Sequence, residues 1–92
     1  MPKLFLIIDQ NQQLYQLIKE INLDLQYEIL NGKDKIQEII DEIISNSNDY
    51  LVLTNKTKHN FDSKRCITIN KPIKASKLFE MINLIFLKNK YL

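Results

Sequence analysis

The sequence predicts an α/β fold, a three-layer sandwich in which a four-stranded, mostly parallel sheet has three helices on its two faces. The first observation is that continuous apolar runs at residues 3–8 and 50–53 are typical of strands that are covered on both faces. The second is that strand-like runs alternate with segments of helical spacing. Right-handed crossovers between successive parallel strands then favour the strand order 2-1-3-4.

The amino-terminal half is expected to supply two strands and two helices. After the first strand, apolar residues recur at helical spacing, at Leu14, Leu17, Ile18 and Ile21. Tyr27 and Ile29 alternate with polar residues, which is typical of a strand at the sheet edge. The Asn31-Gly32 dipeptide is a turn signal that should join this strand to the next helix. That helix has the cleanest apolar stripe of the chain, at Ile36, Ile39, Ile40, Ile43 and Ile44.

The carboxyl-terminal half is expected to add two strands and a last helix. Residues 55–65 are polar and show no helical period. Ile67 and Ile69 then alternate with less apolar residues, which predicts a fourth strand with one buried face. The connection of about a dozen residues is near the minimum for a parallel crossover, so an antiparallel fourth strand stays open. The last helix has its core stripe at Leu78, Ile82, Ile85 and Phe86.

The composition is that of one small globular domain. The chain has 92 residues, of which 45% are hydrophobic and 26% are charged. No apolar run approaches the roughly 20 residues that span a bilayer, and the first apolar run is too short for a signal peptide. We therefore expect a cytoplasmic protein without membrane contact. A single cysteine, a single histidine and a single glycine predict no disulfide, no metal site and no cofactor.

The charge is unevenly distributed along the chain. Residues 1–53 contain 4 lysines against 9 acidic residues, whereas residues 54–92 contain 9 basic residues against 2 acidic ones. Such polarity is typical of a surface for nucleic acid or an acidic partner, although lysine is also the default surface residue in this chain. The chain shows no helix-turn-helix pattern, aromatic platform or arginine cluster. Nucleic-acid binding is therefore the alternative function, and it would be mainly electrostatic.

Four short motifs, taken in order, resemble those of response-regulator receiver domains, which have a flavodoxin-like fold. They are L-F-L-I-I-D-Q-N at 4–11, an Asn-Gly turn before a helix within 27–40, D-Y-L-V-L-T at 49–54, and I-N-K-P-I at 69–73. The resemblance covers nearly all of residues 1–92. The segment between Thr54 and Lys71 is too short for a complete fourth unit, so the chain resembles a receiver shortened by about one βα unit.

The resemblance implies a degenerate phosphorylation pocket. The position of the acidic pair that holds Mg²⁺ in receivers is Asp9-Gln10, so one of the two carboxylates is an amide. The position of the phosphoacceptor aspartate is Thr54, whose hydroxyl cannot form an acyl phosphate. The position of the switch aromatic is Thr68. We therefore expect no aspartyl phosphotransfer, no catalytic residue and no bound metal.

Besides Asp9, the receiver pattern is retained at Lys71 and Pro72. By resemblance, the peptide bond between them is expected to be cis. In receivers the lysine pairs with the phosphoryl group. Without that group, the expectation for this chain is a structural ion pair between Lys71 and Asp9.

Taken together, these features predict a non-enzymatic, phosphorylation-independent signalling or regulatory module of the bacterial two-component type. It would act through a protein partner or as a homodimer. One expected contact surface is a partly bare sheet face on the third and fourth strands. The other comprises the last helix and the basic residues before it, with Lys64, Arg65, Lys74, Lys77, Phe79, Lys88 and Tyr91. A third class, a small flavodoxin-like enzyme, lacks a phosphate loop and a nucleophile–base pair.

Overall fold

The computed structural model describes residues 3–21, 26–32 and 35–91, with side chains as far as residue 85. Its four strands are β1 (Leu4–Asp9), β2 (Tyr27–Gly32), β3 (Asp49–Thr54) and β4 (Cys66–Thr68). Its three α-helices are α1 (Gln12–Ile18), α2 (Ile36–Ser45) and α3 (Ala75–Tyr91). A short 3₁₀ turn, Ser63–Arg65, precedes β4.

The four strands form one parallel sheet in the order β2-β1-β3-β4, which confirms the predicted α/β class and strand order. The orientation of the fourth strand, which the sequence left open, is parallel: Val52 lies beside Cys66, and Thr54 lies beside Thr68. Residues 55–65 make this crossover with only the 3₁₀ turn and no α-helix. The layout is flavodoxin-like, with α1 and α3 on one face of the sheet and α2 on the other.

Alternate residues of the central strands pack on opposite faces of the sheet, as side chains of a strand must. Leu6 and Ile8 of β1 belong to the core with α1 and α3, whereas Ile7 between them belongs to the core with α2. All three are completely buried. This double coverage explains why β1 and β3 are continuous apolar runs in the sequence.

The expectation of a bare sheet face on the α2 side is wrong at the centre of β3. Val52 is completely buried there, because Phe61 from the segment 55–65 packs against the core that contains it. Tyr50 and Cys66 on the same face are half-buried. The segment 55–65 thus covers part of the sheet face that a helix would otherwise cover.

The prediction of a turn at Asn31-Gly32 is also wrong. Both residues lie in β2, beside Ile8 and Asp9 of β1, rather than in a turn after the strand. The glycine is needed for close packing: a Cβ atom on Gly32 would lie 2.7 Å from Cγ1 of Ile36, the first residue of α2. The strand can therefore continue to a point where a side chain would crowd Ile36 at the start of the helix.

Candidate functional site

The carboxyl ends of β1 and β3 bring together the two buried polar residues of the described chain. Asp9 ends β1 and is 4% exposed, and Thr54 ends β3 and is completely buried. Because neighbouring parallel strands end at the same edge of the sheet, the two side chains are adjacent. The Thr54 hydroxyl donates a hydrogen bond to Oδ2 of Asp9 at 2.9 Å.

The cation beside Asp9 is Lys56, so the expected ion pair between Asp9 and Lys71 is wrong. Nζ of Lys56 lies 3.6 Å from Oδ2 of Asp9, and in the described part of the chain Asp9 forms no ion pair with Lys71. The strand order supplies the reason. Lys56 follows β3, which lies directly beside β1, whereas Lys71 follows β4, with β3 in between. The sequence reasoning missed Lys56, although it stands only two residues beyond Thr54.

The backbone of Lys56 also forms a hydrogen bond with the Thr54 hydroxyl. The Lys56 N–H donates to Oγ1 of Thr54 at 3.1 Å, so this buried hydroxyl both donates and accepts a hydrogen bond. Asp9 accepts from Thr54 and faces the Lys56 ammonium group. The pocket that the receiver resemblance assigns to phosphoryl transfer is thus filled by contacts among three of the protein's own residues.

Gln10, at the position of the second acidic residue, is exposed. Its backbone lies in the left-handed region at φ 51°, and its N–H donates to the carbonyl oxygen of Gly32 at 3.0 Å. Asp9 is therefore the only buried carboxylate at this edge among the described residues. Within the same residues no three His, Cys, Asp or Glu side chains cluster as metal ligands.

Thr68, at the position of the switch aromatic, is exposed and lies in a small cluster around His59. Nε2 of His59 is 3.4 Å from Oγ1 of Thr68 and 3.7 Å from Sγ of Cys66. The backbone N–H of Phe61 donates to Nδ1 of His59 at 3.3 Å. His59 thus ties the segment 55–65 to β4, a role that the polar character of this segment does not reveal.

Cys66 is held as a thiol in this cluster. Burial, followed by the negative charge of Asp9, raises the pKa of the Cys66 thiol from 9.0 to about 11, against a smaller opposite effect of a hydrogen bond with Thr68. Thiolate is the nucleophilic form of cysteine. Burial and the charge of Asp9 therefore favour the neutral thiol of Cys66, the less nucleophilic form, at neutral pH.

Lys71 and Pro72 lie exposed in the connection between β4 and α3. The peptide bond between them is trans, so the expected cis bond is wrong. Trans is the favoured isomer even before proline. Both residues line a groove of about 410 Å³ at the carboxyl edge of the sheet, between α1 and the β4–α3 connection.

The expected basic contact surface does not form one free patch. The Arg65 guanidinium pairs with the Asp49 carboxylate and lies 5.9 Å from the centroid of the Tyr50 ring. Nζ of Lys77 is 3.8 Å from a carboxylate oxygen of Glu80. The other residues of the expected contact surface differ in how exposed they are. Lys64 and Lys74 are exposed, Phe79 is half-buried against the core with α1 and α3, and the side chains of Lys88 and Tyr91 lie outside those described.

No protein-family model matches the chain, and neither curated proteins nor solved structures give a match. No helix in the described ranges is long and apolar enough to cross a lipid bilayer. The fold and the site define a class of protein by themselves. It is a parallel α/β module whose carboxyl edge holds one buried carboxylate, hydrogen-bonded to a buried threonine and paired with a lysine.

Proposed function

We propose that the protein is a non-enzymatic, receiver-like regulatory module that works independently of phosphorylation and through protein–protein interaction. The observation that carries this proposal is the buried hydrogen bond between Thr54 and Asp9. It lies where the receiver resemblance puts the phosphoacceptor and a metal ligand. The fold supports the same interpretation, because its strand order and helix placement are those of a flavodoxin-like sheet.

The chemistry of this edge argues against phosphoryl transfer. Thr54 is completely buried. Its hydroxyl already donates a hydrogen bond to Asp9 and accepts one from the Lys56 N–H. A phosphodonor therefore cannot reach this hydroxyl from solvent. Mg²⁺ keeps several waters and requires near-ideal octahedral geometry. A single carboxylate that is 4% exposed and already paired offers it a poor site.

The outward face of α3 supports a role in contacts with a protein partner. Leu84 is 62% exposed there, one of the two largest exposures of a big apolar side chain in the described residues. Lys77 and Leu84 are seven residues apart and therefore lie on the same side of the helix, with Glu80 between them. An exposed apolar side chain with charged side chains beside it is compatible with a protein interface that has a polar rim.

The phosphorylation-independent part of the proposal is tested with beryllofluoride and Mg²⁺, which mimic an acyl phosphate. We expect no saturable shift of the backbone amide NMR signals of Asp9, Thr54 and Lys71. Acetyl phosphate with Mg²⁺ should likewise leave the intact mass unchanged. An active receiver domain treated in parallel is the positive control. A saturable shift at these residues, or a phosphoryl adduct, would contradict the proposal.

The interaction part is tested by affinity capture from the native host with two matched variants. Leu84→Ser changes the exposed face of α3, and Ile44→Ser changes the other large exposed apolar side chain, which is 56% exposed on α2. We expect a specific partner to be lost with Leu84→Ser and kept with Ile44→Ser. Equal capture by both variants would show that α3 is not the contact surface.

A further inference from the structure

The groove beside Lys71 has the volume and the apolar lining that are typical of a small-molecule site. Its volume of about 410 Å³ lies within the roughly 300–1,000 Å³ that is common for ligand pockets. It lies outside the carboxyl ends of the strands, where open α/β sheets bind their ligands. Five apolar side chains from α1 and from the chain after β4 line it, namely Leu14, Leu17, Ile69, Pro72 and Ile73.

The polar side chains that line the groove are four carboxamides and one ammonium group: Asn11, Gln13, Asn55, Asn70 and Lys71. Oδ1 of Asn11 accepts the N–H of Leu14 at 3.0 Å, which leaves its NH₂ group as a donor. Within the part of the chain that the structure describes, the other four side chains make no hydrogen bond or ion pair. The groove thus offers several unused donors above an apolar floor.

The charge of the groove is positive, since Lys71 alone is charged among its described lining residues. The carboxylate of Asp9 is not among the lining residues, and it already pairs with Lys56 and accepts from Thr54. A single cation suits a ligand with one negative charge. Carboxamide NH₂ groups can donate to the oxygens of that charged group, while the floor accommodates an apolar part.

We propose that this groove binds a ligand with one carboxylate attached to a compact apolar group. Two sources present this chemistry: a free amphipathic monocarboxylic acid, and the carboxyl-terminal residue of a peptide with an apolar side chain. The inference does not rest on the proposed function, since it uses only the groove and the pairing of Asp9. It adds a ligand site to a surface that receivers use for phosphoryl chemistry.

The test is an amide NMR titration of the whole protein with three six-carbon probes and inorganic phosphate. Hexanoate carries both required features, hexanol lacks the charge, hexylammonium reverses it, and inorganic phosphate lacks the apolar part. We expect hexanoate to shift the amides of Leu14, Asn55, Ile69 and Lys71 saturably. The other three probes should bind the same residues more weakly or leave them unshifted. Equal shifts with hexanoate and hexylammonium, or no shift with hexanoate, would overturn the proposal.

Two pairs of exposed variants check the charge preference without disturbing the core. Lys71→Met should weaken hexanoate binding about three- to fivefold, the contribution of an exposed ion pair, whereas Lys74→Met outside the groove should not. Asn55→Asp should weaken it similarly, and Asn60→Asp, also exposed but outside the groove, should not. Unchanged affinity in both groove variants would overturn the proposal.

N-acetyl-leucine and its amide separate the two sources. Tighter binding of N-acetyl-leucine than of hexanoate assigns the groove to a peptide carboxyl terminus, and the reverse order assigns it to a free acid. The amide, which lacks the carboxylate, should bind more weakly than N-acetyl-leucine in either case, and equal binding would overturn the proposal. Failure of these titrations leaves the beryllofluoride result unaffected, so the two proposals can fail separately.

Discussion

At the scale of single residues, the decisive group is the buried carboxylate of Asp9. Taking an ionised carboxylate out of water costs several kcal/mol unless hydrogen bonds and an opposite charge compensate. Thr54 supplies the hydrogen bond and Lys56 supplies the charge. The threonine at this position therefore acts as a hydrogen-bond donor that holds the Asp9 carboxylate in place.

Thr54→Val tests this residue-scale interpretation, because valine keeps nearly the same volume and removes only the hydroxyl. Loss of the hydrogen bond to a buried carboxylate should lower the free energy of unfolding by about 1–3 kcal/mol. Urea denaturation monitored by circular dichroism measures the change. Thr57→Val, at an exposed threonine of the following segment, is the control and should stay within about 0.5 kcal/mol of the wild type. Equal stabilities of the two variants would show that the two hydrogen bonds of the Thr54 hydroxyl, to Asp9 and from the Lys56 N–H, contribute nothing.

At the scale of secondary-structure elements, the fold depends on how closely each helix or segment approaches the sheet. The start of α2 lies directly over the last residue of β2, so Gly32 is under Ile36. The segment 55–65 crosses from β3 to β4 without a helix, and it is held by Phe61 on the core and by His59 next to Thr68 and Cys66. Both features let a chain of 92 residues cover a four-stranded sheet.

Gly32→Ala tests the approach of α2 to β2. The added methyl group would lie 2.7 and 2.9 Å from two carbon atoms of Ile36 and 3.2 Å from the carbonyl oxygen of Ile8. Overpacking of this kind should destabilise the protein by about 1–3 kcal/mol. Ile36→Ala removes both crowded carbon atoms, so the double variant should be more stable than the sum of the single effects predicts, as measured in a double-mutant cycle. Strict additivity would show that α2 adjusts without strain.

At the scale of the whole molecule, folding partly cancels the charge polarity of the sequence. Arg65 and Lys56 come from the basic half, and they pair with Asp49 and Asp9 from the acidic half. Non-specific binding to nucleic acid depends on the number of cations that can contact phosphates. Each lysine or arginine that is paired within the protein lowers that number, which weakens the alternative function.

We accordingly expect no retardation of duplex DNA or single-stranded RNA in gel-shift titrations at about 0.15 M salt. Any retardation seen at low salt should disappear steeply as salt is added, because it would be purely electrostatic. Arg65→Gln, which removes a paired cation, should not change the result, whereas a patch that uses Arg65 would be weakened. Retardation that persists at the higher salt would favour nucleic-acid binding, the alternative function, over the proposed one.

Much of the architecture follows from local patterns in the sequence. The apolar runs of β1 and β3, together with the helical stripes between the strands, predicted the class, the order 2-1-3-4 and the edge position of β2. The proximity of Asp9 and Thr54 follows from the same rule, because parallel neighbours end at one edge. These features depend on periodicity and on strand order, which short-range sequence patterns encode.

What the tertiary structure alone decided is which groups meet across that edge. The sequence could not tell that Lys56 rather than Lys71 would reach Asp9, since the choice depends on the path of an irregular segment. The burial of Val52 under Phe61, and the groove that leaves Lys71 unpaired, depend on the same path. Local periodicity determines the elements because each residue's burial repeats along them. Contacts made by loops follow no such repeat, and they are settled only when the whole chain is packed.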